Sequence, residues 1–258
     1  MNLSRWIFGA AAALAFAAPL HSEPIRVRQM EGLVHGFLSL RSPDGKTIAS
    51  GDLIQVASAS RINARLVYHF RDGSISDERA VFTQRGQFRL VRDHLVQKGP
   101  SFPTPLEMTI DAPSGQVTVR YRNDKGEEKV EAEKMDLPPD VSNGMIITLL
   151  KNIRHDAVPD SVSYVAATPK PRLVKLKLSV GGFDRFTIAG SPRRATHYVL
   201  KVDIGGLTGA IAPLVGKQPP DAHVWVLEGD GPAFVKSDVS MFMGGPLWRT
   251  ELVQPSWR

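Results

Sequence analysis

Residues 61–70 read Arg-Ile-Asn-Ala-Arg-Leu-Val-Tyr-His-Phe, and apolar and polar side chains alternate along this stretch. In an extended chain, the even-numbered side chains share one face, which is apolar from Ile62 to Phe70. The other face is polar except at Val67. A period of two predicts a β-strand with one face on a core and the other in water, and an α-helix cannot produce it.

The same alternation recurs in Gln116–Arg122 and Arg172–Val180, and turn signals separate the alternating segments. Clusters of Gly, Pro, Asn and Asp mark these turns at 42–45, 71–73, 85–86, 112–115 and 123–126. Their spacing is typical of consecutive antiparallel hairpins rather than of alternating strands and helices. We therefore predict an all-β, mainly antiparallel fold of about a dozen or more strands. The sheet is expected to be large and curved, forming a half-barrel or a barrel.

One helix, at about residues 140–153, is predicted to pack on the apolar face of this sheet. Asp140 or Ser142 is expected to be its N-cap. Lys151 falls outside the apolar stripe, so Lys151→Asp is expected to be mild and Leu149→Asp severe. The stripe, at helical spacing, consists of Met145, Ile146, Leu149, Leu150 and Ile153. A second short helix at 207–215 is an alternative that its glycines and Pro213 weaken.

The first 22 residues have the features of a Sec signal peptide. Arg5 precedes an apolar run from Trp6 to Ala18, and small residues follow at its end. This run is short for a membrane span. We predict a signal peptide at 1–22, a single domain at 23–258 and a periplasmic location.

Three segments resemble a bacterial exported family known only as a domain of unknown function. They are Glu31–Gly36 with its x-G-x-x-x-G form, the helix entry Leu137–Gly144, and Gly244–Arg249. The resemblance implies a curved antiparallel sheet similar to that of lipoprotein-carrier half-barrels. It transfers no functional residue to this chain.

Known catalytic and metal-binding signatures are missing from the sequence. Zero cysteines exclude thiolate chemistry and disulfides, and no Gly-x-Ser-x-Gly or Ser-x-x-Lys motif is present. The histidines do not occur as His-x-His or His-x-x-x-His. The acidic residues Asp77, Glu78, Glu131 and Glu133 lie near turns among basic residues, which is typical of a solvated rim. We predict no catalytic residue, no metal site and no cofactor.

The C-terminal part of the chain contains apolar residues on both faces of its predicted strands, which indicates core or a ligand cavity. The residues predicted to bind a ligand there are Trp225, Met241, Phe242, Met243 and Trp248. The leading hypothesis is a non-enzymatic periplasmic protein that binds a lipid or other apolar small molecule, or an envelope protein, in the hollow of the sheet.

Two alternatives stay open: a hydrolase with a site assembled from strand-borne Asp, Glu and His, and a structural envelope protein. The net charge of +6 is compatible with peripheral membrane contact through a basic convex face. Nucleic acid is not an expected partner, because the basic residues lack interleaved aromatics.

Overall fold

The computed structural model describes residues 23–123, 125–188, 190–203 and 219–253. These residues form one antiparallel sheet of 14 strands and one α-helix. The strands before the helix are β1 Val34–Arg41, β2 Thr47–Ser58, β3 Arg61–Phe70, β4 Ile75–Arg85, β5 Gln87–Lys98, β6 Leu106–Asp111, β7 Gln116–Arg122 and β8 Glu128–Lys134. Helix α1 is Ile146–Asn152. The strands after it are β9 Ser161–Ala166, β10 Arg172–Ile188, β11 Ser191–Asp203, β12 Ala222–Leu227, β13 Phe234–Val239 and β14 Trp248–Leu252.

The sheet consists of two meanders joined in the middle. Its order is β8-β7-β6-β5-β4-β3-β2-β1-β14-β13-β12-β11-β10-β9, so the first strand pairs with the last. Strands β8 and β9 are the two edges, and no pairing joins them within the described residues, so the sheet is not closed. The chain between these edges contains α1. The predicted all-β antiparallel class with one helix on the apolar face is confirmed.

One face of the sheet, here called the inner face, carries most of the core. Fully buried side chains from both meanders and from α1 belong to a single apolar cluster. Because strand twist accumulates over many strands, a sheet of this size curls, and its two halves then face each other. Members of the cluster include Leu40, Ile62, Phe82, Met108, Ile110, Leu150, Val162 and Leu200.

The helix is shorter than the predicted 140–153. The residues predicted to cap it make hydrogen bonds elsewhere. Met145 occupies the N-cap position without a side-chain hydrogen bond. The carboxylate of Asp140 instead accepts hydrogen bonds from the backbone and hydroxyl of Ser163 in β9. The amide of Asn143 exchanges two hydrogen bonds of 2.9 Å with the backbone of Val165. Residues 140–143 therefore cover the edge of β9, which would otherwise present unpaired backbone groups.

The other edge, β8, is protected by charge. Its sequence is Glu-Lys-Val-Glu-Ala-Glu-Lys, and most of its side chains are exposed. Charged residues on an edge strand disfavour pairing with a second chain. The predicted solvated rim is therefore correct for this strand.

Two sequence-based predictions fall on residues outside those described: the signal peptide at 1–22 and the alternative helix at 207–215. Within the part of the chain that is described, no helix is both long and apolar enough to cross a membrane.

Candidate functional site

Three of the five residues predicted to bind a ligand lie together at one end of the inner face. The rings of Phe242 and Trp248 join those of Phe70 and Phe102, with centroid distances of 5.3 Å for Phe70–Trp248 and 5.8 Å for Phe102–Phe242. The backbone carbonyl of Met241 accepts a 2.9 Å hydrogen bond from the Gln97 side chain in β5. This aromatic plug, defined as Phe70, Phe102, Phe242 and Trp248, fills its end of the sheet.

The other two predicted residues lie elsewhere. Met243 is largely exposed. Trp225 is on the outer face of β12, because its neighbours Val224 and Val226 belong to the inner cluster. Its indole stacks on His197 at 4.3 Å, and the Lys236 ammonium lies 4.1 Å from its centroid. The five residues therefore do not line one cavity, and the prediction that they bind a ligand stays a prediction.

A second plug closes the opposite end of the inner face and includes α1. Lys151 Nζ lies 2.6 Å from Glu31 Oε2, and the Gln55 amide donates to the same oxygen at 2.7 Å. Thr148 donates to Gln55 from the helix. The side chain of Glu31 is 3% exposed and that of Lys151 is 14% exposed. This helix plug, defined as Glu31, Gln55, Thr148, Leu149 and Lys151, ties the segment before β1 to the helix and the sheet.

Between the two plugs, a carboxyl group interrupts an apolar row that crosses the strands. Leu53 of β2 is opposite Leu66 of β3, Leu66 is opposite Glu78 of β4, and Glu78 is opposite Leu95 of β5. Leu53, Leu66 and Glu78 are half-buried, unlike the fully buried residues Ile62 and Phe82 toward the helix plug. The middle of the inner face is therefore less tightly covered than its ends.

A second carboxyl group lies beside Glu78 on the same face. Asp93 of β5 pairs with Ala80, two residues along β4 from Glu78, and it is fully buried. Neither of its carboxyl oxygens has a hydrogen-bond partner among the described residues. Gly144 closes over it: a Cβ at this position would lie 2.6 Å from Asp93 Oδ1 and 2.5 Å from the Ala80 Cβ. Gly144 also has a φ of +65°, so a side chain is excluded here both by space and by backbone conformation.

The opposite wall of the curled sheet contributes Tyr164 of β9. This residue is half-buried, and burial, followed by the nearby charges of Glu78 and Asp93, raises the pKa of its hydroxyl. Its hydroxyl makes no hydrogen bond to any residue that the structure describes. Val174 of β10 is the strand partner of Tyr164, and Leu176, two residues after Val174, is half-buried as well. We call the half-buried part of the inner face formed by Leu53, Leu66, Glu78, Tyr164 and Leu176 the inner hollow.

Burial is the largest cause of the raised pKa values of the two carboxyl groups. It raises the pKa of Glu78 from 4.5 to about 7, while the backbone N–H of Gly144 acts in the opposite direction. Burial, and then repulsion by Glu78, raise the pKa of Asp93 well above its ordinary value, and the backbone of His94 offsets a small part. At neutral pH the pair therefore retains a proton that two exposed acids would lose, and it can both donate and accept hydrogen bonds.

One further concave region has charged groups that are paired within the chain. A pocket of about 360 Å³ opens beside the C-terminal end of α1, well apart from Glu78 in the fold. Its Glu228 is bound by Arg194 and Thr196, and its Arg154 is paired with Asp156. Among the described residues, no group of three or more His, Cys, Asp or Glu side chains could hold a metal ion.

Comparison with solved structures finds a similar fold. The chain is similar to a beta-barrel-like protein of the domain of unknown function DUF1849 from Brucella abortus. The two are 11% identical, the match covers 86% of this chain and 96% of that one, and the TM-score is 0.47. No family model and no curated protein matches this sequence.

Sequence reasoning missed both carboxyl groups of the inner hollow. Glu78 was expected on a solvated rim together with Asp77, but the two adjacent side chains point to opposite faces. Asp77 is on the outer face and forms ion pairs with Arg65 and Arg79. Glu78 shares its parity with Ser76, Ala80 and Phe82, all of them buried. Extending the period-two test to residues 75–85 would have placed Glu78 inside.

The raised pKa of Glu78 predicts that the protein becomes less stable between about pH 4.5 and pH 7. In this window the unfolded chain has lost the Glu78 proton and the folded chain still holds it, so unfolding releases a proton. Each such proton lowers the free energy of unfolding by about 1.4 kcal/mol per pH unit as pH rises. Glu78→Gln is expected to flatten this slope in urea-unfolding curves recorded across the window.

The matched control is Glu107→Gln, a half-buried glutamate on the outer face of β6 that contacts His94. His197 contributes a slope of the opposite sign, because burial and His223 lower its pKa and favour the folded state as pH rises. The difference between wild type and Glu78→Gln therefore reports Glu78 together with its effect on Asp93. Parallel pH profiles for these two proteins would contradict the prediction.

Proposed function

We propose that this is a non-enzymatic bacterial envelope protein that holds the apolar chain of a lipid-like ligand in the inner hollow. The observation that carries the proposal is the contrast along the inner face: half-buried leucines lie between two closely packed plugs. Binding sites of this kind combine apolar walls with a few convergent polar groups. Leu53, Leu66 and Leu176 supply the walls, and Glu78 and Tyr164 supply the polar groups.

The hydrolase alternative has less support. Glycoside hydrolases typically use two carboxyl groups, and both groups must reach the substrate. Asp93 has no exposed surface and is covered by Gly144. A binding role needs only the accessible member of the pair, Glu78.

The proposal includes export to the periplasm, which rests on the first 22 residues. N-terminal sequencing of the protein recovered from a bacterial envelope fraction tests this part separately. A mature N-terminus between Ala18 and Glu23 is expected, and recovery of intact Met1 would count against export.

The binding proposal is tested with N-phenyl-1-naphthylamine, an uncharged apolar probe whose fluorescence rises out of water. We expect saturable binding by the protein and competition by dodecan-1-ol. Leu53→Trp fills the hollow from β2 and should weaken probe binding by about tenfold, equivalent to about 1.4 kcal/mol. The control is Ile54→Trp, which adds the same ring one residue along on the outer face.

Circular dichroism melting of both variants separates lost binding from lost folding, because overpacking alone can destabilise a core. Equal probe affinities for Leu53→Trp and Ile54→Trp would place the probe outside the hollow. Absence of saturable binding by the wild type would overturn the proposed function.

A further inference from the structure

The buried carboxylates of this protein fall into two groups. Glu31, through its Oε2, is paired with Lys151 and Gln55, and Asp140 is paired with Lys175 and Ser163. Such partners are what a charge removed from water requires. The pair Glu78 and Asp93 has no such cation: no lysine or arginine in the described residues forms an ion pair with either. The backbone N–H of Gly144 interacts with Glu78, whereas both side-chain oxygens of Asp93 are unpartnered.

The inner hollow is also where a partner could approach. Glu78 keeps some accessible surface, and the Tyr164 hydroxyl across the hollow lacks a partner among the described residues. Asp93 lies behind Glu78 and is closed off by Gly144 and Ala80, so it acts through its neighbour. Glu78 and the Tyr164 hydroxyl therefore border the same part of the inner face, with Asp93 behind Glu78.

We infer that this position takes the protonated amine of a single-chain amphiphile, with its alkyl chain along Leu53, Leu66 and Leu176. The inference rests on the proposed function and specifies the head group that the hollow selects. An ammonium group supplies three donors and a positive charge, which matches a set of acceptors without a cation. A carboxylate head group would bring a third acid beside Glu78 and Asp93, and a hydroxyl would supply one donor and no charge.

Glu78 is the contact residue in this arrangement, and Asp93 is a positioning residue. When the ammonium binds, Glu78 is favoured in its ionised form, so the proton that the pair holds is released to solvent. Binding of an alkylamine near neutral pH should therefore release a proton, whereas binding of an alcohol should not. This proton release is a signature that a merely structural role for the pair would not produce.

The test compares dodecylamine, dodecan-1-ol and dodecanoate by isothermal titration calorimetry at about pH 7, where an alkylamine is protonated. Two buffers of different ionisation enthalpy report the proton released. We expect dodecylamine to bind at least about tenfold more tightly than the alcohol, and dodecanoate to bind more weakly than both. Glu78→Gln should remove the advantage of the amine and the proton release.

Glu107→Gln, on the outer face of β6, is the matched control and should behave as wild type. Asp93→Asn should reduce the preference for the amine while Glu78 remains in place. Equal affinities for the three chains, or an amine preference that survives in Glu78→Gln, would overturn the inference and leave the proposed function standing. If none of the three chains binds, the proposed function fails and the inference fails with it.

Discussion

Lys151→Asp is expected to lower the free energy of unfolding by about 3–5 kcal/mol, the usual cost of removing one partner from a buried ion pair. The substitution removes the cation that contacts Glu31 at 2.6 Å and places a second carboxylate beside it. The whole stability of a domain is about 5–15 kcal/mol, so a large drop in melting temperature or failure to accumulate should follow. Urea unfolding at neutral pH measures the effect.

Arg154→Asp is the matched control, because it reverses a charge three residues later at an exposed position paired with Asp156. Exposed ion pairs are worth about 0–1 kcal/mol, so this variant should be mild. A near-wild-type stability for Lys151→Asp would show that the helix plug is not formed as described.

The contact between Glu31 and Lys151 changes the sequence-based expectation for Lys151→Asp from mild to severe. That expectation treated every side of α1 outside the apolar stripe as solvent-facing. The structure brings Glu31, 120 residues earlier in the chain, against this side of the helix. The contact forms because the segment before β1 folds back over the sheet. The sequence pattern of residues 140–153 therefore does not predict it.

Leu149→Asp is expected to destabilise the protein by several kcal/mol, because it buries a charge without a partner. Leu149 is 3% exposed and belongs to the single core cluster that includes both halves of the sheet. Here the expectation from the helical stripe and the structure agree. Thermal unfolding followed by circular dichroism should show a much lower melting temperature or no folded protein.

Leu149→Met keeps the volume and apolar character of the side chain and should cost less than about 1.5 kcal/mol. If Leu149→Asp unfolded at the same temperature as Leu149→Met, the helix could not be docked on the inner face. Comparing this pair with Lys151→Asp distinguishes the apolar and the ionic contributions to the same plug.

Strand positions were predictable because their signal is local. In residues 61–70 the alternation alone identifies β3, and it also identifies which side chains face the core. The glycine and proline clusters place the turns for the same reason, since each turn conformation is a property of two to four residues. The fold class follows from many such local signals acting in the same direction.

Predictions failed where one residue had two structural uses. Asp140 and Ser142 are the predicted helix caps, but their side chains bond to the backbone of Ser163 in β9, because that edge strand would otherwise be unprotected. The alternation predicted a strand at Arg172–Val180, whereas β10 continues through Gly181 and Gly182 to Ile188 with a bulge opposite β11. In each case the deciding partner is distant in the sequence.

The sequence by itself determined the antiparallel strands, the apolar stripe of the helix and the charged outer face, because each depends on a short-range period. Only the tertiary structure decided that β1 pairs with β14, that Trp225 and Trp248 face opposite sides, and that Glu78, Asp93 and Tyr164 share one hollow. These relations join residues tens to hundreds of positions apart. They arise from the order of the strands and the curl of the sheet, which bring together side chains that are far apart in the sequence. The residues next to each of these side chains in the sequence do not predict the contact.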